Sequence, residues 1–140
     1  DADRIAAAVA TEGRIRSDWD RFFVEGQFDA FLSPTTQVSP FPVGMEWVDE
    51  IDGVSLDHYT HWMRSCSRIT VTGAPSASLP AGFTDGGLPI GIQFAGRRHG
   101  DAALVALLAA AEEVLGTAPA PDIGALATLD PKTLPPGPLG

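Results

Sequence analysis

The spacing of apolar residues predicts two long amphipathic helices. Over residues 1–25, apolar side chains recur every three or four positions, which is the repeat of a helix with one buried face. Gly26 is a suitable residue to end this helix. Residues 101–115 predict the second helix, because alanine and leucine dominate the segment and the apolar positions form one stripe. We expect Asp101 to cap its start and Gly116 to end it.

Shorter segments between these helices predict three strands and a further helix. The apolar run 28–33 ends at a proline and predicts the first strand. Segments 77–81 and 88–95 predict two more, and the Asp-Gly sequence between them favours a hairpin turn because it tolerates positive φ. Apolar residues three to four positions apart predict a helix over 56–68. The chain is therefore predicted to be an α/β protein.

Two proline-rich segments interrupt this pattern. Residues 34–53 contain three prolines and predict a loop of about 20 residues, a length that is often functional. Residues 117–140 contain six prolines and predict an extended Pro/Gly-rich C-terminal tail. The folded part of the chain is therefore expected to span residues 1–116.

The composition excludes several classes of partner. The 140 residues include nine basic and eighteen acidic side chains, a net charge of -9, which argues against binding to nucleic acid or to an anionic membrane surface. No apolar run reaches the length of a membrane span. The single cysteine, Cys66, is compatible with a reducing compartment, and we expect a cytoplasmic protein. The first residue is not methionine, which suggests a processed form or a fragment.

The residues alone reveal no complete catalytic site. His58 and His61 would share a helix face, but a metal site needs further ligands, so a solvated face is favoured. Cys66 lies on the apolar side of its predicted helix, which favours a buried structural thiol over a nucleophile. Arg97 and Arg98 precede a helix, and salt bridges to acidic side chains are favoured there over an anion site. No metal and no cofactor are expected.

Two ordered blocks of the sequence resemble the amidase signature family. The first is FDAFLSPT, residues 28–35, which is similar to the family's strand and turn ending in Pro-Thr. The second is TGAPSASLPAGFTDGGLPIGIQFAG, residues 72–96, which is similar to the family's C-terminal conserved block. The resemblance covers about residues 20–116. It implies the C-terminal portion of the amidase-signature fold, with a mixed sheet flanked by helices.

The resemblance also implies a reaction that this chain cannot complete. Members of the family hydrolyse amide bonds, and some act on esters or carbamates. Their serine nucleophile, second serine in a cis peptide and lysine base belong to a Gly/Ser-rich signature that this sequence lacks. The only lysine, Lys132, lies in the predicted tail. The resemblance therefore implies a segment of a serine hydrolase that carries no catalytic residue and is inactive alone.

The same resemblance implies partners and a set of candidate substrate contacts. The partners are the N-terminal remainder of the enzyme and a small-molecule amide substrate, with a homodimer as a further candidate. The substrate-binding candidates are Thr35, Trp47, Trp62 and Gln93. Trp47 lies in the long loop that follows Thr35, where a variable substrate wall is expected. Packing within the fold is the alternative role for each of the four.

Two other hypotheses remain open from the sequence. The chain could be a standalone binding or interaction module derived from this fold, which would leave an apolar sheet face in need of a partner. It could also be an intact small enzyme that uses Cys66 or a metal at His58 and His61. The hydrolase segment is favoured because it alone explains two motif blocks in the family's order.

Overall fold

The computed structural model describes residues 1–116 and Gly124. Helix α1 spans Ala2–Gly26, as predicted, and the Asp1 side chain caps it by accepting from the backbone N–H of Asp3. Gln27 ends the helix in the left-handed conformation. The remaining elements follow in chain order: β1 Phe31–Pro34, β2 Glu50–Ile51, β3 Val54–Ser55, α2 Arg64–Thr70, β4 Ser76–Phe83, β5 Pro89–Ala95 and α3 Asp101–Leu115. The predicted tail lies outside the described residues.

Three of the strands form one antiparallel sheet in the order β1-β5-β4. The predicted hairpin joins β4 to β5, and its turn is closed by two backbone hydrogen bonds between Thr84 and the residues Gly87 and Leu88. The fold is α/β, as predicted. Both pairings of this sheet are antiparallel, so these strands do not themselves form the mixed pairing that the resemblance implies.

Helix α3 covers one face of this sheet and forms the core with it. Because side chains alternate along a strand, Leu79 of β4 and Phe94 of β5 point to the same face. They pack against Leu104 of α3, and all three are buried. Removing each such side chain from water contributes about 1.5–3 kcal/mol to folding. Gly96 lies against Leu104, where an added Cβ would be 3.3 Å from the leucine Cβ.

Helix α1 is attached to the opposite side of the sheet through its C-terminal half. Trp19 packs edge-to-face on Phe31 of β1, with ring centroids 5.6 Å apart. The Trp19 indole N–H donates to the carbonyl of Gly96 at 3.0 Å. Arg98 donates through Nε to Oδ1 of Asp20 at 2.9 Å and through a second nitrogen to Oδ2. The predicted salt bridge at this turn is thus confirmed.

Three predicted boundaries differ from those in the structure. The first strand starts at Phe31, since Phe28 turns back onto Phe22 with ring centroids 4.8 Å apart. The strand includes Pro34. Proline has no backbone N–H, and an edge strand such as β1 can accommodate it without losing a hydrogen bond between strands. Asp101 is the first residue of α3 and not its cap, which is Gly100.

The region between β1 and β4 departs furthest from prediction. The predicted loop contains one strand of a small hairpin, because Asp52 and Gly53 both adopt positive φ and form a tight turn between β2 and β3. The helix predicted over 56–68 is confirmed only from Arg64 onward. Its first part is a short 3-10 turn, Tyr59–His61, and α2 begins only at Arg64. The interruption coincides with Trp62, which packs edge-to-face on Phe41 of the loop.

Candidate functional site

Polar side chains form a row across the face of the sheet that α3 does not cover. The pairing register places Ser33 of β1, Gln93 of β5 and Ser78 of β4 opposite one another. The Ser33 hydroxyl donates to Oε1 of Gln93 at 3.4 Å. This central strand therefore presents an uncharged amide between two hydroxyls, a combination that can accept and donate hydrogen bonds.

Ser78 of this row also contacts Thr35, which lies two residues beyond Ser33 in the chain. Oγ1 of Thr35 lies 2.6 Å from Oγ of Ser78, across the central strand β5. Gly91 lies between them, and a Cβ at this position would be 2.8 Å from both hydroxyl oxygens. Only glycine leaves room for this contact without displacing a neighbour.

The Thr35 carbonyl connects the end of β1 to helix α2. It accepts from the hydroxyl of Ser65 at 3.2 Å and from the thiol of Cys66 at 3.1 Å. The Ser65 backbone N–H in turn donates to Oε1 of Gln37 at 3.2 Å. The Cys66 side chain is half-buried, whereas the sequence predicted a buried one. Its hydrogen bond to the Thr35 carbonyl fits a structural role for the thiol. Its thiol holds two segments together.

A cleft of about 560 Å³ opens between α1, β1 and α2, and we call it the α1 cleft. Its walls are mainly apolar and aromatic. Ser33 of the polar row and Ser65 of α2 contribute hydroxyls to it. The lining residues are Ile15, Asp18, Trp19, Phe22, Phe31, Ser33, Ser65, Arg68, Ile69 and Thr72.

A second cavity of about 370 Å³ lies between the loop after β1, Trp62 and the start of β5, and we call it the Trp62 pocket. The Trp62 ring lies nearly perpendicular to Phe41 and Tyr59, at centroid distances of 5.5 and 6.1 Å. Its indole N–H is shielded from solvent and has no acceptor among the described residues. The lining residues are Thr36, Gln37, Val38, Ser39, Pro40, Phe41, Trp62, Pro89, Ile90 and Gly91.

The structure brings three of the four predicted substrate contacts to one region. Thr35 and Gln93 share the open face of the sheet. Trp62 lines the adjacent pocket together with Thr36, the residue after Thr35. Trp47 is half-buried in the loop and lines neither cavity. Across residues 1–116 and Gly124, no group of three or more His, Cys, Asp or Glu side chains could hold a metal ion. The rings of His58 and His61 lie edge-to-face, with their centroids 5.3 Å apart.

Sequence reasoning missed Ser33, Ser78 and Phe41. A signal for the first two was present, because residues two apart in a strand share a face and the pairs Ser33/Thr35 and Ser76/Ser78 have that spacing. Phe41 carried no such signal, since its contact with Trp62 joins a loop to a segment about twenty residues later.

None of the helices in the described part of the chain combines the length and the apolar composition that a membrane span requires.

The family model described as Amidase matches residues 1–105. The chain belongs to the amidase signature family. The match starts at residue 1, so α1 belongs to the family fold, whereas the motif resemblance was limited to residues from about 20 onward. It ends within α3.

Relatives with assigned names extend this finding. The chain is 39% identical over 98 residues to a glutamyl-tRNA(Gln) amidotransferase subunit of Myxococcus xanthus, covering 70% of this chain and 18% of that protein. It is 28% identical over 102 residues to indoleacetamide hydrolase of Allorhizobium ampelinum, covering 73% and 22%. A bacterial aryl acylamidase structure matches with a TM-score of 0.61 and 29% identity, covering 76% and 22%. The chain thus spans about a fifth of the length of these relatives.

Proposed function

We propose that this chain is the C-terminal segment of an amidase-signature serine hydrolase that cleaves amide bonds, with esters or carbamates as further substrates of the class. The segment supplies strands of the central sheet and part of the substrate pocket wall. It carries no catalytic residue and is inactive alone. Its partners are the N-terminal remainder of the enzyme and a small-molecule amide.

The observation that carries this proposal is the small size of the core. Among the described residues, the buried apolar side chains are Phe23, Ile69, Leu79, Phe94, Ala95 and Leu104. On the first half of α1, by contrast, Ile5 and Val9 are 66% and 63% exposed. Apolar helix faces in folded domains normally pack against another element. The remainder of a larger enzyme would cover this surface.

The site chemistry supports a binding role and not a reacting one. The row of Ser33, Gln93 and Ser78 is uncharged and can orient a carbonyl or an amide by hydrogen bonds. No lysine occurs in residues 1–116 to act as the base that the family resemblance implies. The named functions of two relatives, an indoleacetamide hydrolase and a glutamyl-tRNA(Gln) amidotransferase, favour a C–N amide bond as the target.

The proposal is tested by assaying the purified 140-residue chain against 4-nitroacetanilide. We expect no release of 4-nitroaniline above the buffer rate. The gene is also sequenced upstream of the codon for Asp1. This upstream sequence should encode a Gly/Ser-rich signature and, some tens of residues before that signature, a lysine. Turnover by the chain alone would contradict the proposal. A dimer formed by a chain that is encoded without any upstream segment would favour the interaction module instead.

A further inference from the structure

We propose that the proline-rich segment 134–139 of this chain docks in the Trp62 pocket as a polyproline II helix. The segment has the sequence LPPGPL and belongs to the predicted tail, outside the described residues. This contact goes beyond the proposed function and does not rest on it. Its absence would leave that function untouched.

The segment has the spacing of a polyproline ligand. Pro135 and Pro138 are three positions apart, and a polyproline II helix has three residues per turn, so in that helix both rings would lie on one face, about 9 Å apart. Segments with this PxxP spacing dock in grooves lined by aromatic rings, because their preformed backbone loses little entropy on binding. Leu134, Pro136 and Leu139 would add apolar surface.

The Trp62 pocket supplies aromatic and apolar walls of the kind that such a segment requires. Phe41 and Trp62 both line the cavity, with their rings nearly perpendicular and their centroids 5.5 Å apart. Tyr59 packs on the Trp62 ring and is 51% exposed, so this aromatic cluster is open to a partner. Ile90 forms another part of the wall and is 42% exposed. Covering these side chains would remove apolar surface from water.

The polar groups of the pocket match those of the segment. Proline lacks a backbone N–H, so the segment has more carbonyl acceptors than N–H donors. Gln37 and Ser39 line the pocket and carry side-chain donors. None of the ten lining residues carries a formal charge, and neither does any side chain of 134–139. An uncharged segment therefore loses less hydration in this pocket than a charged one would.

The connection from α3 is long enough to reach the pocket. Helix α3 ends at Leu115, and residues 116–133 leave 18 residues before the segment. An extended chain of that length spans about 55 Å, whereas a folded unit of this size has a radius of gyration of about 13 Å. A flexible connection gives the segment an effective concentration in the millimolar range, so a contact with a Kd of about 1 mM would form in about half of the molecules.

The α1 cleft matches the segment less well. Its lining includes the charged side chains of Asp18 and Arg68. An uncharged segment would displace water from these groups without offering them an opposite charge. The Trp62 pocket is therefore the favoured site, and Trp19, which lines the α1 cleft, reports on the alternative.

The test compares the full 140-residue chain with a chain that stops at Lys132, by two-dimensional NMR of ¹⁵N-labelled protein. The three tryptophans give three indole N–H signals, which substitution of Trp19, Trp47 and Trp62 by phenylalanine assigns. We expect truncation to shift the Trp62 signal and to leave the Trp19 signal unchanged. A peptide of residues 133–140, added to the truncated chain, should return the Trp62 signal to its position in the full chain.

Proline variants test the spacing without changing the length of the tail. Pro135→Ser combined with Pro138→Ser should shift the Trp62 signal of the full chain as truncation does. Pro119→Ser combined with Pro121→Ser is the matched control, because these prolines lie in the connection, and it should leave the signal in place. A 133–140 peptide with both segment prolines replaced by serine should bind the truncated chain at least tenfold more weakly than the parent peptide.

Three results would overturn the contact. They are a Trp62 signal at one position in the full and truncated chains, equal shifts in the two double-serine variants, or equal affinities of the two peptides. Movement of the Trp19 signal in place of the Trp62 signal would overturn the pocket and assign the segment to the α1 cleft. A Trp62 signal that moves as the full chain is diluted would overturn the intramolecular contact, because the occupant would then be the tail of a second copy.

Discussion

The hydroxyls of Thr35 and Ser78 lie 2.6 Å apart, although Thr35 directly follows β1 and Ser78 lies in β4, which is not a neighbour of β1 in the sheet. They meet over the central strand because residue 91 has no side chain. The same Thr35 binds α2 through its carbonyl. One threonine thus joins both edge strands and the helix that precedes β4, next to the Trp62 pocket.

Gly91→Ala is expected to destabilise the chain by about 1–3 kcal/mol, the usual penalty for forcing a methyl group into a packed site. The new Cβ would lie 2.8 Å from both hydroxyl oxygens. Gly13→Ala is the matched control, because nothing lies within 4 Å of its Cβ and it is in the middle of α1. The control should stabilise by about 0.5–1 kcal/mol. Urea unfolding measures both, and equal stability of Gly91→Ala and the parent chain would disprove the close approach.

Trp19→Phe is expected to lower the free energy of unfolding by about 1 kcal/mol. It removes the indole N–H that donates to Gly96 while keeping an aromatic ring against Phe31. Trp47→Phe is the control, since the Trp47 indole makes no hydrogen bond to any described residue. Thermal unfolding of the two variants should therefore differ, and an equal loss in both would show that the hydrogen bond does not stabilise the attachment of α1.

The Asp20–Arg98 pair predicts acid sensitivity. The hydrogen bonds from Arg98 hold the pKa of the Asp20 carboxyl below its ordinary value of 3.8, and this outweighs the opposing effect of burial. A folded-state pKa below the unfolded value gives stability that is present above about pH 4 and lost as the pH falls through the lower folded pKa. Asp20→Asn should flatten this part of the curve of unfolding free energy against pH.

Arg98→Gln is the companion variant for that measurement. It removes the guanidinium that lowers the pKa of Asp20, so it should flatten the same acid limb. Because both groups are half-buried, we expect only a modest effect that shrinks at high salt. If either variant keeps the full acid slope of the parent's curve of unfolding free energy against pH, other carboxyls cause the loss of stability in acid.

Cys66→Ser is expected to be less destabilising than Cys66→Ala. A serine hydroxyl can still donate to the Thr35 carbonyl, whereas alanine removes this donor and leaves the carbonyl only the Ser65 hydroxyl. Thermal unfolding compares the two variants with the parent. A serine variant no more stable than the alanine variant would show that the thiol contributes packing and not a hydrogen bond.

Local sequence predicted the elements whose signals are long or repeated. Helices α1 and α3 have apolar stripes over many turns, and the Asp-Gly turn specified the β4–β5 hairpin. The first strand and the segment 56–68 were misplaced because Phe28 and Trp62 pack against residues outside their own segments. Short segments carry too few periodic positions to predict such contacts.

By itself, the sequence determined the family, the hairpin and the absence of lysine from residues 1–116, because motifs, turns and residue counts are properties of the linear chain. Only the tertiary structure decided which polar residues meet. The strand register places Ser33 beside Gln93, Gly91 lets Thr35 reach Ser78, and the loop brings Phe41 to Trp62. These contacts join residues far apart in the chain, so they depend on how strands pair and helices pack and leave no periodic signal in the sequence.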